Sequence, residues 1–258
     1  MPKNIAIITG ASSGFGREFV KQIGQKYQDI DEIWVIARRK ERLEELQKDI
    51  KTKIIPLALD LTKQESFELI KDKLNQEKPN IKVLVNASGF GYFKAFTDRP
   101  LDDWLRLMDL NDKALVILNY LALEYMKEGA EIYNIASTSA FQPVPYIGIY
   151  GASKAFVLSF SRSLNVELKS RGIKVLAVCP HWTKTEFFDT AVVDDTIKYY
   201  NTFNTQEQVV SKAIQNMKKG KDVSLVGAKV KKQIFLVKHL PHKMVMKTWC
   251  SQQHFKTK

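Results

Sequence analysis

The sequence predicts an α/β fold in which a doubly wound, Rossmann-type parallel sheet is covered by helices on both faces. Short β-branched runs alternate along the chain with longer amphipathic stretches, the pattern from which parallel sheets are built. A glycine-rich turn directly follows the first apolar run, at the point where such a fold passes from its first strand to its first helix. The 258 residues are 45% hydrophobic, enough to bury one substantial core. We therefore expect one globular domain.

Seven strands are predicted from apolar runs bounded by turn residues. They are Ile5–Thr9, Glu32–Ala37, Lys53–Leu59, Ile81–Asn86, Glu131–Ala136, Lys174–Cys179 and Val223–Val226. Helical patterns lie between them, and the second of these places Leu43, Leu46 and Ile50 on one face.

Several helices have recognisable starts or a continuous apolar pattern. Thr62 with Glu65, and Thr205 with Gln208, have the spacing of a capping box, which predicts a helix start at each pair. The apolar pattern from Leu101 to Met126 predicts one long helix.

The chain changes character near its carboxyl end. We expect the domain to occupy residues 1–227 and a basic extension to occupy residues 228–258, which contain eight lysines and no acidic residue. Apolar side chains recur in the extension at helical spacing, interrupted by Pro241: Val230, Ile234, Val237, Val245 and Trp249. Such a segment can lie on an anionic membrane surface. We favour instead a helix pair that covers the substrate site or joins subunits, with its lysines facing water.

Composition excludes several classes of protein. The 40 Lys and Arg against 28 Asp and Glu give a net charge of +12, which suits anionic partners, but no nucleic-acid-binding module accompanies it. Cys179 and Cys250 are far apart, and the four histidines are scattered, so neither a metal site nor a disulfide is expected. No signal sequence precedes Ile5, and no apolar run is long enough to span a bilayer. We expect a soluble, cytoplasmic protein.

The turn after the first strand has the chemistry of an anion site. It reads Thr9-Gly10-Ala11-Ser12-Ser13-Gly14-Phe15-Gly16, with the spacing Gly-x₃-Gly-x-Gly. Glycines permit a tight turn and let backbone N–H groups approach a pyrophosphate at a helix N-terminus. Its position after the first strand favours dinucleotide binding over a turn without a ligand.

The end of the second strand indicates which dinucleotide would bind. Dinucleotide folds that use NAD place an acidic residue here, on the ribose 2′-hydroxyl. This chain instead has Arg38, Arg39 and Lys40, which suit a 2′-phosphate, since arginine grips phosphate through two parallel hydrogen bonds. A solvated basic helix start is the alternative, but cations at a helix N-terminus oppose the helix dipole. We therefore expect NADP(H).

A tyrosine and a lysine are placed for proton transfer. Tyr150 and Lys154 are four residues apart in a predicted helix and share one face of it. A nearby cation stabilises phenolate, which would lower the pKa of Tyr150 and make it a general acid or base. Ser137, at the end of the fifth strand, can hold the substrate oxygen, and Ser139 is the nearest competitor for that role.

These motifs, in this order, resemble the short-chain dehydrogenase/reductase family over about residues 3–227. The resemblance implies that Asn111 completes a tetrad with Ser137, Tyr150 and Lys154, supporting a water-linked proton path to the lysine. It also implies a set of cofactor-binding residues: Gly10, Ser12, Ser13, Gly14, Phe15, Gly16, Arg38, Arg39, Asp60, Leu61, Asn86, Ala87, Ser88, Tyr150, Lys154, Pro180, Thr183 and Thr185.

Two positions depart from the family pattern. Asn86-Ala87-Ser88-Gly89 stands where the family has Asn-Asn-Ala-Gly, so local hydrogen bonding there differs. His181 replaces the glycine that follows Pro180. An acid–base role for His181 is conceivable, but with Trp182 beside it we favour a residue that packs the loop or walls the substrate site.

The resemblance implies hydride transfer between nicotinamide and a ketone or secondary alcohol. Aromatic loops (residues 90–93, 142–146 and 182–200) predict a lipophilic substrate such as a hydroxysteroid. We expect a homodimer or homotetramer. A catalytically silent NADP(H) sensor or scaffold is the alternative, although a silent protein need not keep all four tetrad residues; a protein acting mainly through its tail at a membrane surface is a third.

Overall fold

The computed structural model describes residues 2–192 and 194–255. Seven parallel strands form one sheet in the order β3-β2-β1-β4-β5-β6-β7. They are β1 Asn4–Thr9, β2 Glu32–Ala37, β3 Lys53–Ala58, β4 Asn80–Asn86, β5 Glu131–Ile135, β6 Lys174–Val178 and β7 Val223–Ser224. The predicted fold class is confirmed. β7 ends at Ser224 rather than at Val226 because its partner strand ends there, where Val178 pairs with Ser224.

Helices cover both faces of this sheet. They are α1 Gly14–Lys26, α2 Lys40–Glu44, α3 Gln64–Glu77, α4 Leu101–Met108, α5 Ala114–Leu123, α6 Gly148–Glu167, α7 Phe187–Ala191, α8 Gln206–Lys218, α9 Ala228–His239 and α10 His242–Gln252. Leu43, Leu46 and Ile50 are buried together as predicted, although α2 passes into a 3₁₀ turn at Glu45.

The long helix predicted from Leu101 to Met126 is present as one helical run that ends at Leu123, but it contains a π-helical turn, Asp109–Lys113, between α4 and α5 that was not predicted. The side-chain amide of Asn111 bonds both backbone groups of Phe90, which holds the extra residue of the turn in place. Such π turns occur frequently at functional sites.

One predicted helix start is confirmed and the other is wrong. The Thr205 side chain accepts a hydrogen bond from the N–H of Gln208, whose side chain accepts one from the N–H of Thr205. The Thr62 hydroxyl instead donates to a carboxylate oxygen of Asp60, 2.8 Å away, so it does not cap α3.

Alternate residues of the central strand face two different cores. Ala6 and Ile8 of β1 pack in the cluster that contains residues of α1 and α8, whereas Ile5 and Ile7 pack in the cluster with residues of α3 and α5. This two-sided burial explains why the strands read as nearly continuous apolar runs.

The strand order reverses beside β1, because β1 is bonded to β2 on one side and to β4 on the other. In open α/β sheets ligands bind in the crevice outside the carboxyl ends of the strands at this switch point. Of the helices in residues 2–192 and 194–255, none combines the length and the apolarity that crossing a bilayer requires.

Candidate active site

The turn between β1 and α1 has room for a phosphate but none for side chains. Gly10 and Gly14 have positive φ angles of 65° and 55°. A Cβ on Gly16 would lie 2.3 Å from the backbone oxygen of Gly10, so only glycine fits where the turn crosses itself. The Ser13 side chain makes no capping hydrogen bond to α1, which leaves the first N–H groups of the helix facing the crevice.

Asp60 and Arg38 stand together beyond the ends of β3 and β2, and both line the cavity. Burial raises the pKa of Asp60, but hydrogen bonds from Thr62 and the charge of Arg38 outweigh it and hold the pKa below its usual value. Asp60 is therefore an anion at neutral pH. Within the described part of the chain, no salt bridge engages the exposed Arg38.

Arg39, in contrast, is already bonded. Its guanidinium donates to the hydroxyl of Ser12 at 3.0 Å and to the carboxylate of Glu186 at 2.8 Å. Arg42 bonds the other oxygen of Glu186. Glu186 thus links the start of α2 to the loop that follows β6, a connection that sequence reasoning missed because nothing local signals it.

The Tyr150 phenol and the Lys154 ammonium both lie in α6, which begins at Gly148, two residues before the tyrosine. The Lys154 ammonium donates to the backbone oxygen of Ile135 at 2.8 Å and lies 5.8 Å from the centre of the Tyr150 ring. Burial raises the pKa of Tyr150 to about 12, and the nearby Ser137 hydroxyl, as a donor toward the phenol oxygen, partly opposes this rise. The predicted lowering of this pKa is therefore wrong, because the desolvation of the phenol dominates and Lys154 is not among the groups that shift it.

Lys154 itself is a buried cation. Burial lowers its pKa to about 8, while the negative charge of Asp112 raises it. Asp112, in the π turn, is also partly desolvated: burial raises its pKa to about 6, and Lys154 opposes that effect. One carboxylate oxygen of Asp112 is buried without a hydrogen-bond partner in the described structure.

Ser137 and Ser139 are the two candidates for contact with a substrate oxygen. The Ser137 hydroxyl oxygen accepts a hydrogen bond of 3.1 Å from the backbone N–H of Ser139, so its own proton remains available as a donor. The hydroxyl oxygen of Ser139 is buried without a partner among the described residues. Both serines line the cavity, so the preference for Ser137 stays a prediction.

Asn111 connects the π turn to the rest of the site. Its side-chain oxygen accepts from the Phe90 N–H at 3.1 Å, and its N–H₂ group donates to the Phe90 oxygen and to the Ser153 hydroxyl. Ser153 in turn donates to the backbone oxygen of Tyr150 at 2.8 Å. The asparagine is 1% exposed and therefore acts from behind the cavity wall.

Two glycines after β4 contact the site: Gly91 belongs to the loop predicted to wall the pocket, whereas Gly89 was not given a site role. A Cβ on Gly89 would lie 3.0 Å from the side-chain oxygen of Asn111 and 3.4 Å from the ammonium of Lys154. A Cβ on Gly91 would lie 2.7 Å from the Tyr150 ring and 3.0 Å from that of Phe187. The two glycines in this loop were the only sequence feature that could have indicated a tight approach. The side chains that approach them belong to segments distant in the sequence.

Comparison with known proteins agrees with this geometry. The family model described as short chain dehydrogenase matches residues 4–195. Sulfoacetaldehyde reductase 2 of Chromohalobacter salexigens is 33% identical over 193 residues, covering 71% of this chain and 74% of that protein. The NADP-dependent 3-hydroxy acid dehydrogenase YdfG of Escherichia coli (strain K12) is 32% identical over 222 residues, covering 81% and 87%.

A solved structure shows the same likeness in three dimensions. The short-chain dehydrogenase from Sphingobium yanoikuyae in complex with NADPH superposes with a TM-score of 0.76 at 27% identity, covering 93% of this chain and 97% of that one. This chain belongs to the short-chain dehydrogenase family. It is accordingly an oxidoreductase with a Rossmann-type fold.

The cavity of this short-chain dehydrogenase gathers most of the predicted cofactor-binding residues. It has a volume of about 950 Å³. The predicted residues that line it are Gly10, Ser12, Ser13, Gly14, Phe15, Arg38, Arg39, Asp60, Leu61, Ala87, Ser88, Tyr150, Lys154, Pro180, Thr183 and Thr185. Gly16 and Asn86 lie behind the wall: Gly16 packs against Gly10, and the Asn86 amide donates to Asn134 at 2.8 Å.

His181 bonds on both sides of its ring. Its Nδ1 is 3.0 Å from the Thr138 hydroxyl, and its Nε2 is 2.5 Å from the Asn201 side-chain oxygen. Because an amide oxygen only accepts, Nε2 carries the proton and Nδ1 accepts from Thr138. Burial lowers the pKa of His181, which keeps the ring neutral. His181 therefore links the loops that contain Thr138 and Asn201, and it also lines the cavity. This agrees with the prediction that it packs the loop or walls the cavity.

Part of the cavity is lined by aromatic side chains: Tyr92, Phe93, Trp182, Phe187 and Phe188. The tail also contributes to the lining through residues of α9 and α10, among them Ile234, Leu236, Val237, Leu240, Val245 and Trp249. The Trp249 indole donates to the Pro145 oxygen at 3.0 Å, which fixes α10 against the loop before Tyr150.

Proposed function

We propose that this short-chain dehydrogenase is an NADP(H)-dependent enzyme that transfers a hydride between nicotinamide and the carbon of a ketone or secondary alcohol. The observation that carries the proposal is that Ser137, Tyr150 and Lys154 line one cavity, with the Lys154 ammonium 5.8 Å from the centre of the Tyr150 ring. When bound, NADPH would supply the hydride. The glycine turn after β1 fits its diphosphate, since each glycine stands where a Cβ would be strained or would fill the crevice.

The two hydroxyls would act on one substrate oxygen. In the reductive direction negative charge grows on the carbonyl oxygen, and donors aimed at it stabilise the transition state. The Ser137 oxygen accepts from Ser139, so the Ser137 hydroxyl can still donate its proton to the substrate oxygen. Tyr150 then delivers its proton to the oxygen. A phenol whose pKa is about 12 remains protonated at neutral pH and is ready to act as the acid.

Lys154 and Asn111 would return the proton. One N–H of the ammonium is used by Ile135, which leaves two for a ribose hydroxyl and for a water molecule. The side-chain oxygen of Asn111 and the ammonium of Lys154 both lie next to Gly89. That oxygen accepts one hydrogen bond, from the Phe90 N–H, and has a second lone pair that can accept another. A water held there would connect Lys154 to solvent.

The proposal also specifies the cofactor, NADP(H), and the class of substrate, a lipophilic ketone. Arg38 lines the cavity as an exposed cation, which supports binding of a 2′-phosphate. One relative is named as NADP-dependent and one similar structure contains NADPH, which supports the same choice. The aromatic part of the cavity supports a bulky apolar ketone such as a hydroxysteroid.

The test is the turnover of Tyr150→Phe against a panel of ketones with NADPH. This change removes only the ionisable hydroxyl, so turnover should fall roughly 10²–10⁴-fold while NADPH binding and folding persist. Tyr120→Phe, at a phenol that is 79% exposed on α5, is the matched control and should behave like the unmodified enzyme. Near-normal turnover of Tyr150→Phe would overturn the mechanism. NADPH binding by the unmodified chain without turnover of any ketone would favour the silent sensor.

A further inference from the structure

The helical hairpin formed by α9 and α10 has an apolar inner side. Val230, Ile234 and Val237 of α9 and Val245 of α10 are buried. The sequence analysis considered these residues for contact with a membrane. That role is wrong for these residues, because they are buried in the protein.

A second apolar set on the same hairpin faces outward. Phe235 is 62% exposed, Leu236 48%, Leu240 42% and Met244 55%. These four residues lie within ten positions of one another around the bend at Pro241, and we call them the hairpin patch. Isolated apolar residues on a surface need no explanation, but four large ones on one bend indicate a contact surface.

The surroundings of the hairpin patch are uniformly basic. Residues 223–258 contain no aspartate or glutamate, whereas lysines flank the patch at Lys238, Lys243 and Lys247. In the portion of the tail that the structure describes, no lysine forms a salt bridge. The positive charge is therefore not neutralised within the chain.

The hairpin patch adjoins the mouth of the cavity. Leu236 and Leu240 belong to both, since each is exposed to solvent and also lines the cavity. A surface that covered the patch would therefore lie directly against the entrance to the cavity.

We propose that the hairpin patch docks this enzyme on the surface of an anionic lipid bilayer. Four exposed apolar side chains with exposed lysines at neighbouring positions match the composition of an interfacial helix, in which apolar groups enter the acyl boundary and cations remain among the headgroups. A second copy of the chain is a poorer occupant, because two such surfaces would bring like charges face to face. Docking in this orientation opens the cavity toward the lipid.

The test is co-sedimentation of the full chain with vesicles of phosphatidylcholine, either alone or mixed with phosphatidylglycerol, at low and high salt. Binding should require the anionic lipid and should weaken with salt. Phe235→Ser with Met244→Ser should reduce the partition coefficient about tenfold or more, since two apolar side chains no longer enter the lipid. Neither residue lines the cavity, so unchanged thermal melting and ketone turnover in water confirm that the double variant is folded.

The charges are tested separately with a matched pair of variants. Lys243→Gln with Lys247→Gln should weaken binding to anionic vesicles by roughly fivefold for each lysine. Lys48→Gln with Lys51→Gln removes the same charge from exposed positions near β3 and should have little effect. Equal binding to neutral and anionic vesicles, or none to either, overturns the proposal. So does a smaller sedimentation coefficient of the serine variant in solution, which would assign the hairpin patch to a subunit interface.

Discussion

The carboxylate of Glu186 accepts a hydrogen bond of 2.8 Å from the guanidinium of Arg39, although 147 positions separate the two residues. Both residues line the cavity together with Arg38, beside which we propose that the 2′-phosphate binds. The ion pair therefore engages one of the two arginines predicted to meet that phosphate.

Replacing Glu186 by Gln should strengthen binding of NADPH. The change releases Arg39 and removes a negative charge near the phosphate, so the Kd for NADPH should fall by a severalfold factor, in line with the ~1 kcal/mol typical of exposed ion pairs. The Kd for NADH should change little. Nicotinamide fluorescence titration measures both constants. Asp222→Asn breaks a comparable exposed pair with Arg162 and serves as the control. An equal fall in the Kd values for NADPH and NADH would contradict this explanation. It would show that Glu186 acts on a group common to both cofactors rather than on the 2′-phosphate.

Arg38→Asp should reverse the cofactor preference. The variant loses a charge-assisted contact of about 1.5–3 kcal/mol, so NADPH should lose roughly tenfold to a hundredfold in affinity while NADH binds as well or better. Initial rates with each cofactor measure the ratio. Lys40→Asp alters a neighbouring cation that pairs with Glu44 and does not line the cavity, and it should keep the preference. If the unmodified enzyme used both cofactors equally, the role assigned to Arg38 would be wrong.

Gly91→Ala should impair turnover and spare cofactor binding. The new methyl group would lie 2.7 Å from the Tyr150 ring, so the phenol must move. A displacement of about 1 Å in a reacting group can cost about a hundredfold in rate. Turnover and the Kd for NADPH are the measurements. Gly148→Ala is the control in the first turn of α6, because nothing lies within 4 Å of its added Cβ. Full activity of Gly91→Ala would place the working position of the phenol elsewhere.

Asp112→Asn should shift the alkaline limb of the pH–rate profile. Burial lowers the pKa of Lys154 to about 8, and the ammonium, which the mechanism requires, is lost as the pH rises through that value. Asp112 has a pKa of about 6, so it is ionised at neutral pH and its charge keeps Lys154 protonated. Removing the charge lowers the pKa of Lys154 further, and activity should decline at lower pH than in the unmodified enzyme.

The control for this shift lies in the same π turn. Asp109→Asn alters a carboxylate that pairs with Lys113 at 3.5 Å and leaves Lys154 untouched. Its profile should match that of the unmodified enzyme. A shift of the Asp112→Asn profile toward higher pH would contradict the electrostatic coupling.

The sequence was sufficient for most of the fold because each strand is locally marked. A buried parallel strand such as β1 reads as a continuous apolar run, whichever core its residues face. Tyr150, Lys154 and Ser137 were predicted because the first two follow helical spacing and Ser137 ends a strand, whereas Asn111 was implied by the family resemblance alone. The failures at Thr62 and at the π turn share a cause: side chains bonded to Asp60 and Phe90 overrode the local pattern.

Other site residues have no local signature. Glu186 stands in an ordinary polar loop and acquires its role only when folding brings it to Arg39. Gly91 is one glycine among several until α6 places the Tyr150 ring against it. These contacts depend on tertiary distances that no single-sequence pattern encodes. The assembly into a homodimer or homotetramer and the boundary at residue 227 remain predictions.

The π turn at Asp109–Lys113 contains one residue more than an α-helical turn would need to cover the same ground. Deleting one residue, for example Lys113, would restore an uninterrupted ladder of hydrogen bonds. Because the π turn takes up the extra residue locally, α4 and α5 would keep nearly the same relative orientation. Asn111 would nevertheless lose the position in the turn from which it bonds Phe90. Between α4 and α5, therefore, the number of residues matters more than their identity. Most substitutions in this stretch change one side chain, whereas the deletion of one residue would make the helix regular and remove the contact of Asn111 with Phe90.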